Sequence, residues 1–128
     1  MMPTILAVDD NQIHSYALVK TLELAGFHVV FAATGTQALA MAKEHKPDAI
    51  VLDINLPDVS GFEVCLRIKS APETCDIPVI FHTASSAGAA RGHAEIVGGS
   101  AFLTYPIDAE HLITVVRGSL IRAAGKGA

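Results

Sequence analysis

Ala49-Ile50-Val51-Leu52-Asp53-Ile54-Asn55 sets four apolar residues directly in front of an acid. A short apolar run without polar alternation suits a strand covered on both faces, as in a parallel sheet. Such a strand delivers Asp53 to the carboxyl end of the sheet at a fixed, partly buried position, where an ordinary solvated aspartate has no reason to be. Outward from it, Thr4–Val8, His28–Ala32, Val79–His82 and Ala101–Thr104 have the same character.

Helix-length stretches alternate with these strands. Residues 12–25 place Leu18, Leu22 and Ala25 on one stripe, stopped by Gly26. Residues 36–45 turn Ala38, Leu39 and Ala42 inward before Lys46-Pro47 breaks the helix. Phe62, Cys65, Leu66 and Lys69 supply the face of a third helix ended by Pro72, and a last helix over about 108–123 carries Leu112, Val115, Val116 and Ile121. The fourth, about 87–97, holds Gly88 and Gly92, each costing about 1 kcal/mol relative to alanine, and is expected to be the most mobile. Five strand–helix repeats predict an α/β fold: a doubly wound, five-stranded parallel sheet with right-handed crossovers and helices on both faces.

Composition agrees with one domain spanning 1–128, its ordered core at about 3–123 and residues 124–128 fraying. The chain has 128 residues, 51% hydrophobic and 17% charged, with mean hydropathy +0.43. A packed core is expected, and disorder is not. The formal net charge of −4 and the scattered Lys and Arg give no basic face, so nucleic acid is not an expected partner. The longest apolar run, Val29–Ala33, is far below the roughly 20 residues that span a bilayer, so no membrane role is expected. The amino end has no basic leader and reaches Asp9 and Asp10 early, which argues for the cytoplasm. Cys65 and Cys75 are expected to stay reduced, with Cys65 in the core.

Ligands of open parallel sheets collect at the carboxyl ends of the strands. There the chain places Asp9-Asp10, Asp53 with Asn55, Thr83, and Tyr105-Pro106. Each acid alone could be a helix cap or a solvated loop residue. Three together repel one another unless a cation shares them, and an oxygen-only ligand set favours Mg²⁺.

The segments Ile5-Leu6-Ala7-Val8-Asp9-Asp10-Asn11, Ile50-Val51-Leu52-Asp53-Ile54-Asn55-Leu56-Pro57-Asp58-Val59-Ser60-Gly61-Phe62-Glu63 and Ile77-Pro78-Val79-Ile80-Phe81-His82-Thr83-Ala84, in this order and spacing, resemble the receiver domain of bacterial two-component response regulators over nearly the whole chain. The resemblance implies the strand order 2-1-3-4-5 and makes Asp53 the phosphoacceptor, attacking a phosphohistidine of a histidine kinase or phosphotransfer protein. It implies Mg²⁺ (or Mn²⁺) on Asp9, Asp10, Asp53 and the Asn55 carbonyl, with Asp9 acting mainly through water. It gives Thr83 a phosphoryl oxygen to bind, leaves room beside it at Ala84, and makes Phe102 the switch aromatic. Asp58 is expected to be a plain loop residue. Enzymatic turnover beyond self-catalysed phosphorylation and dephosphorylation is not expected.

One position departs from the family. Tyr105 stands before Pro106 where relatives usually carry lysine, and the spacing of 105 − 83 = 22 residues keeps the register. Tyrosine donates one hydrogen bond and brings no positive charge. Two readings follow: a phosphoacceptor with slow kinetics and altered switching, or a pseudo-receiver serving as a phosphorylation-independent docking or dimerising module. Candidate partners include other domains of a hybrid kinase in the same chain and a second copy. His82 is expected to point away from Thr83 into the core or groove, Lys69 to lie too far along its helix, and Arg91 to need to reach across from the fourth helix, so the sequence names no substitute cation. An aspartate-nucleophile phosphohydrolase needs an Asp-x-Asp pair after the first strand, and a flavodoxin-like carrier needs a phosphate-cradling loop where Asp9-Asp10-Asn11 would repel one. Neither requirement is met.

Overall fold

A computed structural model describes residues 2–83, 88–104 and 107–126, with backbone only at Gly88, Ala89, Arg91 and Lys126. Its strands are β1 (Thr4–Val8), β2 (His28–Ala32), β3 (Ala49–Asp53), β4 (Val79–Thr83) and β5 (Ala101–Thr104). Its helices are α1 (Gln12–Leu24), α2 (Gly35–His45), α3 (Gly61–Ser70), α4 (Gly88–Ile96) and α5 (Ala109–Lys126). All strand pairs are parallel and the order is β2-β1-β3-β4-β5. The chain turns back beside β1, so the carboxyl ends of β1 and β3 meet at a topological switch point.

Successive side chains on a strand face opposite ways, and the apolar ones divide accordingly. Leu6, Val8, Ile50, Leu52 and Phe81 pack with residues of α2, α3 and α4, whereas Ile5, Ala7, Val51 and Ile80 pack with α1 and α5. Every residue of β1 beyond Thr4 is buried, as are all of β3 and β4. Both faces of the central strands are thus covered, which is why their sequences do not alternate.

Helix ends follow local chemistry. The Asn11 side chain caps α1, accepting from the Ile13 and His14 amides at 3.0 Å each. Gly26 ends that helix at φ 96°, in the left-handed region that glycine enters without penalty. Lys46 takes φ 46° at the end of α2, a conformation costing a non-glycine about 1 kcal/mol.

Three expectations are corrected. The buried face of α3 is Val64, Cys65 and Ile68, while Leu66 is 48% exposed. Phe62 and Cys65 do pack in the core, whereas Lys69 serves the loop after the helix, its Nζ donating to the carbonyls of Cys75 (3.2 Å) and Ile77 (2.6 Å). Ile121 is 73% exposed, and Ser119 is buried in its neighbourhood with an Arg122 guanidinium N–H donating to its hydroxyl. Helix α5 runs from Ala109 to Lys126, past the end at about residue 123 that the sequence suggests, with Ala123 and Ala124 favouring helix; residues 127 and 128 lie outside the described residues.

Candidate functional site

Strand β1 is followed by a fully buried Asp9 and an exposed Asp10. Asp9 is held on one side by the Asn11 amide, which donates to its Oδ1 at 2.8 Å, so the residue that caps α1 also pins the acid. Asp53, 8% exposed, closes β3, and the Asn55 amide donates to its Oδ1 at 3.1 Å. One carboxylate oxygen from each of Asp9, Asp10 and Asp53 lies within 4.8 Å of the others. The sequence-predicted acids are therefore brought together.

This proximity has an electrostatic consequence. Burial lifts the Asp53 carboxyl to about 7, the charges of Asp9 and Asp10 push the same way, and the Asn55 and Ile54 amides oppose them. Three clustered carboxyl groups, one of which resists ionising, are the hard oxygen donor set a divalent cation suits, with Mg²⁺ or Mn²⁺ favoured over softer metals.

Thr83 ends β4 fully buried, and its hydroxyl oxygen accepts from the Asn55 side-chain amide at 3.3 Å. Asn55 thus links the phosphoacceptor candidate to the threonine candidate. Phe102 is half-buried, pairs in register with Phe81 across β4 and β5, and packs against the α2–α4 side of the core. Ala84, Tyr105 and Pro106 lie outside the described residues, as does the side chain of Arg91.

His82 is fully buried, as expected, and its ring comes near Asp9. Nε2 lies 3.3 Å from the Val8 carbonyl and Nδ1 4.0 Å from Asp9 Oδ2. Burial holds the imidazole well below the usual histidine range despite the Asp9 charge, so it is neutral. With one proton, that proton belongs on Nε2, because only a donor suits a carbonyl. His82 therefore adds no positive charge.

Gly61 opens α3 directly against β3. A Cβ there would collide with the Asp53 carbonyl oxygen and the Ile54 Cα, both backbone and unable to swing aside. The Gly61 amide donates to the Ile54 carbonyl at 2.8 Å, and Ser60 caps the helix through the Phe62 amide. Gly61→Ala is accordingly expected to lower the unfolding free energy by about 3 kcal/mol, as overpacking against an unyielding wall does. Urea denaturation measures it; a loss below about 0.5 kcal/mol would show that α3 retreats freely.

Two features escaped sequence reading. Asp58 is engaged with the start of α2, and His82 approaches Asp9. Both join residues far apart in the chain, and no local pattern signals them.

Comparison with known proteins gives one family. The response regulator receiver domain family matches residues 5–117. The DNA-binding dual master transcriptional regulator RpaA of Synechocystis is 38% identical over 121 residues, covering 94% of this chain but only 50% of that protein, so the chain spans half the length of that relative. The polar-differentiation response regulator DivK of Brucella anthropi is 33% identical and is covered over 98% of its length, with 94% of this chain. Among solved structures, the receiver domain of the sensor histidine kinase PA1611 from Pseudomonas aeruginosa PAO1, with a magnesium ion coordinated in its active-site cleft, superposes with TM-score 0.87 at 25% identity, over 94% of this chain and 98% of that one.

Proposed function

Because the chain belongs to the response regulator receiver domain family and is a signalling domain of two-component systems, we propose that it takes a phosphoryl group from a phosphohistidine onto Asp53, with a divalent cation held by Asp9, Asp10, Asp53 and the Asn55 carbonyl. The observation that carries this reading is the convergence of the three carboxylates within 4.8 Å. When bound, magnesium or manganese supplies positive charge that favours the ionised carboxylates and offsets the charge of the incoming phosphoryl group.

The chain's own residues do the rest. The Asn55 amide orients the Asp53 carboxylate through Oδ1. A carboxylate oxygen of Asp53 attacks phosphorus, the N–P bond to the donor imidazole breaks, and that nitrogen keeps the electron pair and takes a proton. An acyl phosphate results. Thr83 offers its hydroxyl hydrogen to a phosphoryl oxygen, and Phe102 on the adjacent strand responds to the displacement. The donor is a histidine kinase or phosphotransfer protein, in another chain or in a hybrid kinase containing this one.

Among the described residues no helix is long and apolar enough to cross a membrane. Tyr105 is what favours a second reading, a module that docks or dimerises without phosphate.

Metal titration separates the two readings. At about 100 times its Kd, Mg²⁺ should stabilise the protein by about 2.7 kcal/mol. Asp10→Asn, exposed and without a structural hydrogen bond to lose among those described, should shift the Mg²⁺ dependence of thermal unfolding to at least about tenfold higher concentration. Identical dependence in the two proteins would remove Asp10 from the site.

A further inference from the structure

The segment between β3 and α3, residues 54–60, carries Asn55 near one end and Asp58 near the other. Its start is fixed to the sheet, the Ile54 amide donating to the His82 carbonyl at 3.3 Å, and its end returns through the bond from the Gly61 amide to the Ile54 carbonyl. The far side is held by a different element altogether. Asp58 Oδ1 accepts from the Gly35 amide at 2.8 Å, and Oδ2 accepts from the Thr36 amide at 2.9 Å and the Thr36 hydroxyl at 2.6 Å.

These are the first two amides of α2, which have no partner inside the helix. The third, Gln37, donates to the Thr34 hydroxyl. A carboxylate from another part of the chain therefore completes the cap of α2 and meets the positive end of its dipole. The same three bonds hold the Asp58 carboxyl well below the usual carboxylate range although the side chain is exposed. Gly35 permits the approach, since a Cβ there would collide with the methyls of Val59 and Val64.

We infer that Asp58 is a positioning residue for the metal and phosphoryl site: by clamping residues 54–60 to the amino end of α2, it holds the Asn55 carbonyl and amide in place. The inference rests on the metal-dependent reading above. It makes α2, which contributes no residue to the site, part of its support. The coupling runs both ways, so a cation that orders the segment must also order the Gly35 and Thr36 amides.

The test is an amide NMR titration with Mg²⁺ alone, on the full chain and on Asp58→Ala, Asp58→Asn and Thr36→Val, with urea denaturation of each. In the parent, Mg²⁺ should shift Asn55, Gly35 and Thr36 together with one apparent Kd. In Asp58→Ala the Kd should rise about tenfold and the Gly35 and Thr36 response should disappear while Asn55 still responds. Asp58→Asn, which keeps one acceptor oxygen, and Thr36→Val, which keeps both amide bonds, should fall between. Reduced stability with an unchanged Kd and an unchanged Gly35 response would make Asp58 a helix cap only and overturn the inference. No Mg²⁺ response at Asn55 in the parent would overturn the metal reading and this inference with it.

Discussion

Asp53→Asn is expected to abolish the phosphoryl adduct entirely while making the metal-free protein more stable. Incubation with a small phosphodonor and Mg²⁺, read by intact mass, should show one added phosphoryl group in the parent and none in the variant. An adduct persisting in the variant would move the phosphoacceptor elsewhere. The stability gain follows from the raised carboxyl. Folding shifts Asp53 from 3.8 to about 7, so the folded state binds more protons than the unfolded state between those values. The penalty for ionising the buried group is absent below about pH 4, grows as pH rises through 7 and is complete above it. Asparagine carries no such penalty and can still accept the Asn55 amide bond. Allowing for water that reaches the site edge, the variant should gain about 1–2 kcal/mol at pH 8 and almost nothing at pH 4. Denaturant unfolding of both proteins at the two pH values checks this, and a gain independent of pH would mean that charge is not its source.

Tyr105→Lys is expected to speed phosphoryl labelling by at least tenfold. Tyr105 follows β5 directly, and that strand pairs with β4 so that Thr104 lies opposite Thr83. Neither described candidate brings the charge of a lysine to the cluster: His82 is neutral beside Asp9, and Lys69 donates to carbonyls of the α3–β4 loop. One preorganised contact to a developing anion is worth about 3–4 kcal/mol, or 10²–10³ in rate, and a lysine introduced into an unadapted pocket recovers part of it. Hydrolysis of the acyl phosphate should accelerate too, because both transition states develop charge on the same oxygens. A labelling time course paired with the decay of purified phosphoprotein measures both. Unchanged rates with a detectable adduct would mean that charge reaches the phosphoryl group by another route; no adduct in either protein favours the docking module.

The sheet was legible because each of its strands is an apolar run that needs no partner to be recognised. The acids were legible because they end those runs: Asp9 and Asp53 lie where Val8 and Leu52 stop. What could not be read is whatever depends on how one element turns against another. Helix α3 offers apolar residues on more than one side, Phe62, Val64, Cys65, Leu66 and Ile68, and only its packing under β3 and β4 leaves Leu66 outside. Ile121 is outward for the same reason, since α5 buries Leu112, Val116 and Ser119. Asp58 looked like loop polarity because its partners, Gly35 and Thr36, are more than 20 residues away.

The two cysteines differ in a way that makes the molecule easy to instrument. Burial pushes the Cys65 thiol up to about 11, and its Sγ donates to the Val97 carbonyl at 3.4 Å, so it supplies almost no thiolate at neutral pH. Cys75 is half-buried in the turn that leads into the amino end of β4, whereas Asp53 lies at the carboxyl end of β3. A maleimide dye or spin label is therefore directed to one place, with no engineered cysteine, and leaves the carboxylate cluster untouched.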